Sequence, residues 1–229
     1  MASVDGADSL RLKAVLELGK KAGMSKSSME SAVQRGLGVS REGVQLQVLT
    51  IEAIGPANVS LIVDCLTDNK LRTLQAIKFL LKEGRANVTD VAYLFSRKGR
   101  LFYTLNTGLP EPQPTLSEVY EETFEKAMET DGVEDVELIE EGDGEGELPG
   151  ISVTTAPELA NTVSKQIMEA ISPKLKVEKI AVEWVAKDDT MIDPESEGTP
   201  DDWDKLRGLI DTLEEADDVQ AVYTNARSL

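Results

Sequence analysis

The apolar residues change their spacing at Val44, and that switch places helices before it and a sheet after it. Upstream, Leu12, Val15 and Leu16 recur at helical intervals and the pattern stops at Gly23. Ser25 or Ser27 then caps a second helix, with Ser27 and Glu30 at capping-box spacing and Gly36 closing it. Two helices this short cannot bury a core alone, so they require a partner to pack on. Downstream, Val44, Leu46 and Val48 alternate before the phase slips to Leu49, Ile51 and Ala53, which predicts a bulged strand. Gly55-Pro56 turns the chain into a second strand through Val59, Leu61, Val63 and Cys65. A helix is expected from Asn69, carrying Leu71, Leu74, Ile77 and Leu81 inward and ending at Gly84. A hairpin from Val91 to Phe95 and Arg100 to Leu105, turned at Arg97-Lys98-Gly99, completes a ββαββ unit.

Pro110, Pro112 and Pro114 stiffen the next stretch and mark a boundary. Beyond it, Thr115 and Glu118 form a capping box for a helix that would bury Tyr120, Phe124 and Met128. A strand over 133–139, a second strand from Ile151, a helix starting at Thr155-Ala156-Pro157-Glu158 and a strand over 177–186 give αββαβ. Ile180, Val182 and Trp184 share one face of that last strand. Thr199-Pro200-Asp201-Asp202 opens a final helix burying Trp203, Leu206, Ile210 and Leu213, and 219–223 is the last strand. The fold class is therefore α+β, and a faint echo between GVEDVELIEE and ADDVQAVYTN suggests two related units.

Composition narrows the chemistry. With no histidine among 229 residues there is no Ser-His-Asp triad, no Cys-His pair and no His-ligated zinc. Cys65 is the single cysteine, so no internal disulfide forms, and without a base beside it the thiol reads as a small buried hydrophobe at a strand end. Asp68 and Asn69 read as turn and helix-cap residues. Residues 131–147 carry nine carboxylates and no basic side chain, but their spacing does not fit a calcium loop, so no metal and no cofactor are expected. Apolar runs fall far short of the roughly 20 residues of a membrane helix. The net charge of −18 is unevenly spread. Residues 1–108 hold 15 basic and 10 acidic side chains, a net of +5, and residues 109–229 hold 9 and 32, a net of −23. Such asymmetry points to a polyanion-facing half and a solvated acidic half.

Within the positive half, Lys78, Lys82 and Arg85 lie on one helix face, with Lys70 and Arg72 at that helix's start. Beside them runs AYLFSRKGRLFY, in which Tyr93, Phe95, Phe102 and Tyr103 flank Arg97, Lys98 and Arg100. Cations can neutralise phosphates while aromatics on a sheet stack bases. The same residues equally describe a sheet core with a charged hairpin tip.

The stretches LRLKAVLELGKKAGMSKSSMESAVQRGLG, EAIGPANVSLIVDCLTDNKLRTLQAIKFLLKEG, VAYLFSRKG and LRGLIDTLEEADDVQAVYTN together resemble the YebC/PmpR family, which includes mitochondrial translational activators of cytochrome c oxidase subunit I. The resemblance covers nearly the whole chain and is least distinctive between about Glu111 and Pro200. It implies a YebC-like arrangement of three domains: a helical domain over 1–40, a central α+β domain over 41–108 and 199–229, and an acidic α+β domain inserted over 109–198. It implies a non-enzymatic protein that associates with the ribosome, ribosomal RNA or mRNA as a translational activator, or alternatively a DNA-binding transcriptional regulator. The site would be mitochondrial in a eukaryote and cytoplasmic otherwise. Matched positions carry phosphate contact to Lys20, Lys21, Lys26 and Arg35 in the helical domain, and to Arg72, Arg97 and Lys98 in the central one. Gly55 and Pro56 are carried over as a shaped turn, and Gly99 lies within the matched VAYLFSRKG. Family members usually begin with a basic His-Ser-Lys-Trp segment and a lysine-rich helix ahead of the point where this chain starts, so the resemblance implies an incomplete helical domain.

Overall fold

The computed structural model describes residue 16 and residues 19–227, apart from 41–42, 109, 111–112, 141–147 and 195–196. The chain forms two compact units. One is built from the residues up to Tyr93 and from Thr190 onward, the other from Leu94 to Asp189.

In the first unit a helical segment ends at Lys21, and α1 (Lys26–Gly36) follows, its Ser28 amide held by the Ser25 hydroxyl at 3.1 Å. Strands β1 (Gln47–Ile54) and β2 (Ser60–Thr67) pair antiparallel without interruption from Gln47–Thr67 to Ile54–Ser60. Helix α2 (Lys70–Glu83) starts at Asn69, whose side chain accepts from the Arg72 amide. The short β3 (Asn87–Val88) lies on the far side of β1. Helix α5 (Pro200–Glu214) carries a complete Thr199/Asp202 capping box and an N-terminal proline, and β8 (Val219–Thr224) joins β2. The sheet order is β3-β1-β2-β8, and both helices pack on one face of it. Ile51, Ala53, Leu61, Val63 and Cys65 from the sheet meet Ile77, Leu81, Trp203, Leu206 and Leu213 from the helices. Each large aliphatic side chain fully removed from water there contributes about 1.5–3 kcal/mol.

In the second unit, β4 (Phe95–Leu105), α3 (Leu116–Met128), β5 (Val133–Ile139), β6 (Gly150–Thr155), α4 (Ala160–Ile171) and β7 (Leu175–Ala186) form an antiparallel sheet in the order β5-β6-β4-β7. This is the βαββαβ arrangement of ferredoxin-like domains. Leu101, Tyr103, Ile151 and Val153 face Val119, Ala127, Val163 and Ile167 of the two helices. The opposite face carries Lys98, Arg100 and Phe102 of β4 beside Ser152 and Thr154 of β6.

Several expectations change. Residues 91–105 are not a hairpin: Ala92–Leu94 is a single helical turn and Phe95–Leu105 one continuous strand. Gly99 is mid-strand, where a Cβ would lie 2.3 Å from Thr155 Oγ1 and 2.8 Å from Ala160 Cβ, so the glycine admits the start of α4 rather than turning the chain. Because β4 belongs to the second sheet, the units divide near residues 93 and 189, where 108 and 198 were expected. The phase slip after Val48 is not a bulge, since β1 begins only at Gln47 and Gln45 instead bridges Val39. Leu71 is 66% exposed and Thr73 takes the inward position. In α3 the buried row is Val119, Thr123 and Ala127, leaving Phe124 and Met128 at the surface. Finally, α4 starts at Ala160 with no side-chain cap, five residues past the start expected at Thr155.

Candidate nucleic-acid interface

The basic residues singled out by the sequence separate into three groups according to what each cation meets. Arg35 and Arg72 are already partnered within the first unit, Arg72 while remaining exposed. Asp218, in the turn before β8, accepts from Thr73 Oγ1 at 2.6 Å, Arg72 at 3.1 Å and Thr67 Oγ1 at 3.3 Å, with Arg35 at 3.8 Å. Arg72 also meets Asp68 at 2.9 Å, and Arg35 donates to the carbonyls of Leu66 and Asp217. Burial pushes the Asp218 carboxyl up, but the hydrogen bonds from Thr73 and Arg72 and the Arg72 charge more than offset it, and the net shift is downward. These arginines therefore act as internal fasteners that pin α1 and α2 to the sheet.

In the second unit the cations of β4 are also engaged. Lys98 pairs with Glu134, Arg100 donates to Thr154 Oγ1 at 2.7 Å and lies 4.0 Å from Glu137, and Arg97 stacks 5.3 Å above the Trp184 ring. Lys98, Arg100 and Phe102 do share one face of the sheet, the one turned away from α3 and α4, but nearby carboxylates cancel the charge that a phosphate would seek.

The third group is exposed. Lys70, Lys78 and Lys82 lie on α2, while Arg85 falls two residues beyond its end rather than on the helix face; none makes an ion pair with the described residues, although the Arg85 charge helps to lower the Asp202 carboxyl. The buried side of α2 is set by Thr73, Ile77 and Leu81, so the opposite side presents Leu71, Gln75, Lys78, Phe79 and Lys82 outward. Phe79 is 63% exposed between the two lysines. Lys20 and Lys21 are likewise exposed and unpaired among the described residues, while Lys26 makes only a solvent-exposed pair with Glu30 at 3.5 Å.

The remaining positions are structural. Gly55 is buried where a Cβ would lie 3.0 Å from Leu61, and Pro56 begins the helical turn after β1. Asn69 caps α2 and Asp68 holds Arg72. Burial, with the Asp218 and Asp64 charges, pushes the Cys65 thiol up to about 11, so it stays protonated. Among the described residues no group of three or more carboxylates and cysteines is arranged to hold a metal ion, and no helix is long and apolar enough to cross a membrane.

Two carboxylates that fasten the first unit are invisible in the sequence. Asp218 lies in ADDVQAVYTN, where nothing local marks it as the partner of Thr73 and Arg72. Glu52 Oε2 accepts the Val91 and Ala92 amides at 2.6 and 2.7 Å, closing the helical turn that leads into β4. Nothing in a period-two strand marks which of its polar residues will do this.

The family model described as the second and third domain of TACO1/YebC matches residues 46–226. A curated protein from Nitrosococcus oceani, named "probable transcriptional regulatory protein", is 34% identical over 225 residues, covering 97% of this chain and 79% of that protein. One of the same name from Moorella thermoacetica is 32% identical over 230 residues, covering 99% and 81% respectively. The crystal structure of a conserved hypothetical protein from Aquifex aeolicus matches with a TM-score of 0.62 and 28% identity, over 96% of this chain and 80% of that one.

Proposed function

The chain belongs to the TACO1/YebC family, and from that premise we propose that it is a DNA-binding regulator of transcription, without catalytic activity, whose contact surface is the outward face of α2. One observation carries the choice of surface. Of the cations considered, those of β4 face internal partners, whereas Lys78 and Lys82 stand exposed on the outward face of α2 with no ion pair among the described residues. A phosphate backbone gains most from cations that have no carboxylate to leave. The acidic second unit would face solvent or protein and keep the complex reversible. The names and bacterial sources of the relatives support this reading, and a cytoplasmic site of action, over the ribosome-associated translational activator that the sequence resemblance also implies.

The test is binding of fluorescent duplex DNA by the full chain across a salt series. The two cations of that face, Lys78 and Lys82, predict a slope of log K against log salt of about −2. Lys78→Glu with Lys82→Glu should weaken binding steeply and flatten that slope by about two. Lys98→Glu with Arg100→Glu should leave it nearly unchanged. Equal losses in both double variants would reject the surface. Co-sedimentation with ribosomes, with no affinity for duplex DNA, would replace transcription by translation as the process.

A further inference from the structure

The second unit ends in an unusual edge. β7 is a strand of 12 residues at the margin of its sheet, and among the described strands it pairs with β4. Sheet margins expose a row of unpaired amides and carbonyls, and proteins usually blunt them with short strands or repelling charge. The opposite margin, β5, is shorter at seven residues, its ladder is broken by a register shift between Val133 and Asp135, and its charged residues are all acidic. In contrast, β7 carries both signs. On the face turned away from α3 and α4, Lys179 and Glu183 reach over Ala181 and pair at 2.5 Å. On its other face Ile180 and Val182 are 42% and 38% exposed although both are apolar.

We propose that β7 pairs antiparallel with β7 of a second copy of this chain, about a two-fold axis through Ala181. Charge complementarity selects both the occupant and the register. With Ala181 opposite its own counterpart, Lys179 of each copy lies opposite Glu183 of the other, and Ile180 lies opposite Val182, twice over. Moving the axis to Ile180 sets Lys179 against Ala181 and Glu183 against Val177. Moving it to Val182 sets Glu183 against Ala181 and Lys179 against Val185. Of these three registers, the one centred on Ala181 matches opposite charges and joins apolar to apolar. The small alanine at the axis leaves room for the long side chains on either side to exchange partners, from within one chain to across the pair. The product is an isologous dimer with one continuous sheet of both second units, formed by the backbone groups that β7 leaves unpaired between Lys179 and Glu183.

The full chain, followed by sedimentation over a wide concentration range, should show a monomer–dimer equilibrium. Lys179→Glu or Glu183→Lys alone puts like charges opposite each other at two symmetric places and should weaken the dimer by roughly tenfold. Mixing the two single variants restores opposite charges at both places, so the mixture should dimerise as tightly as the parent. A disturbance confined within one chain would not be rescued by mixing. Ala181→Cys places a thiol on the axis, where antiparallel partners are close enough for a disulfide, and should cross-link under mild oxidation. Val185→Cys, on the same face but distant from its own counterpart, should not. Circular dichroism of each variant confirms folding. A chain that stays monomeric, a dimer indifferent to both reversals, or cross-linking at Val185 as readily as at Ala181 would overturn the proposal.

Discussion

The Thr73 hydroxyl donates a 2.6 Å hydrogen bond to Asp218 Oδ2, and Arg72, one position earlier on α2, donates to the same oxygen at 3.1 Å. Asp218 thus lies at the seam between the buried and exposed sides of the helix, where one carboxylate can fasten both. Thr73 is buried, so its partner cannot be replaced easily by water. Thr73→Val keeps the shape and removes the donor; it should lower stability by about 1–3 kcal/mol in urea unfolding. Thr73→Ser keeps the donor and should recover most of that loss.

The same carboxylate makes stability depend on acidity. Asp218 binds its proton less readily in the folded chain than in the unfolded one. Its contribution is therefore complete above the ordinary aspartate value of about 3.9 and is lost as the pH falls through the lower folded value. Asp218→Asn should be less stable than the parent at neutral pH, and the gap should close in acid. A gap that stays constant through that window would show that the charge is not what matters.

How far the sequence could be read depended on whether its signal was local. Asn69, Thr115 and Thr199 each announce a helix start by a side chain that reaches only three residues onward, and the structure uses all three. The inward row of α2 was misplaced at Leu71 because Thr73, a polar residue, is buried there to meet Asp218, 145 positions away. Gly99 suggested a turn because its true reason, the approach of Thr155 and Ala160, lies in a strand and helix distant in sequence. The basic residues of the candidate site were all legible as cations. Which of them were already neutralised was not, since Lys98–Glu134 and Arg72–Asp218 arise only when strands and turns come together.

Two glycines should respond oppositely to the same substitution. A Cβ at Gly99 would meet Thr155 Oγ1 and Ala160 Cβ inside normal contact distance, so Gly99→Ala should destabilise the second unit by about 1–3 kcal/mol. At Gly208, within α5, a Cβ would meet no atom within 4 Å. Gly208→Ala should therefore raise stability by about 0.5–1 kcal/mol through the helix propensity it restores. Thermal or urea melts of the two variants decide the matter, and equal signs would contradict the packing described around β4 and α5.

Cys65 offers a probe of opening in the first unit. It lies 1% exposed on β2, and burial together with the Asp218 and Asp64 charges raises its thiol to about 11. The thiolate is the reactive form, so at neutral pH both access and ionisation oppose attack. A thiol reagent should label the native chain only at the rate at which the core around α2 opens, and labelling should become fast once urea unfolds it. Thr73→Val, which loosens α2, should speed native labelling, whereas Lys98→Glu in the other unit should not. Rapid labelling of the parent chain would mean that the sheet of the first unit opens far more readily than its packing allows. Slow labelling has a practical consequence as well: with Cys65 silent, a thiol introduced at Ala181 is the only one that can report on pairing between copies.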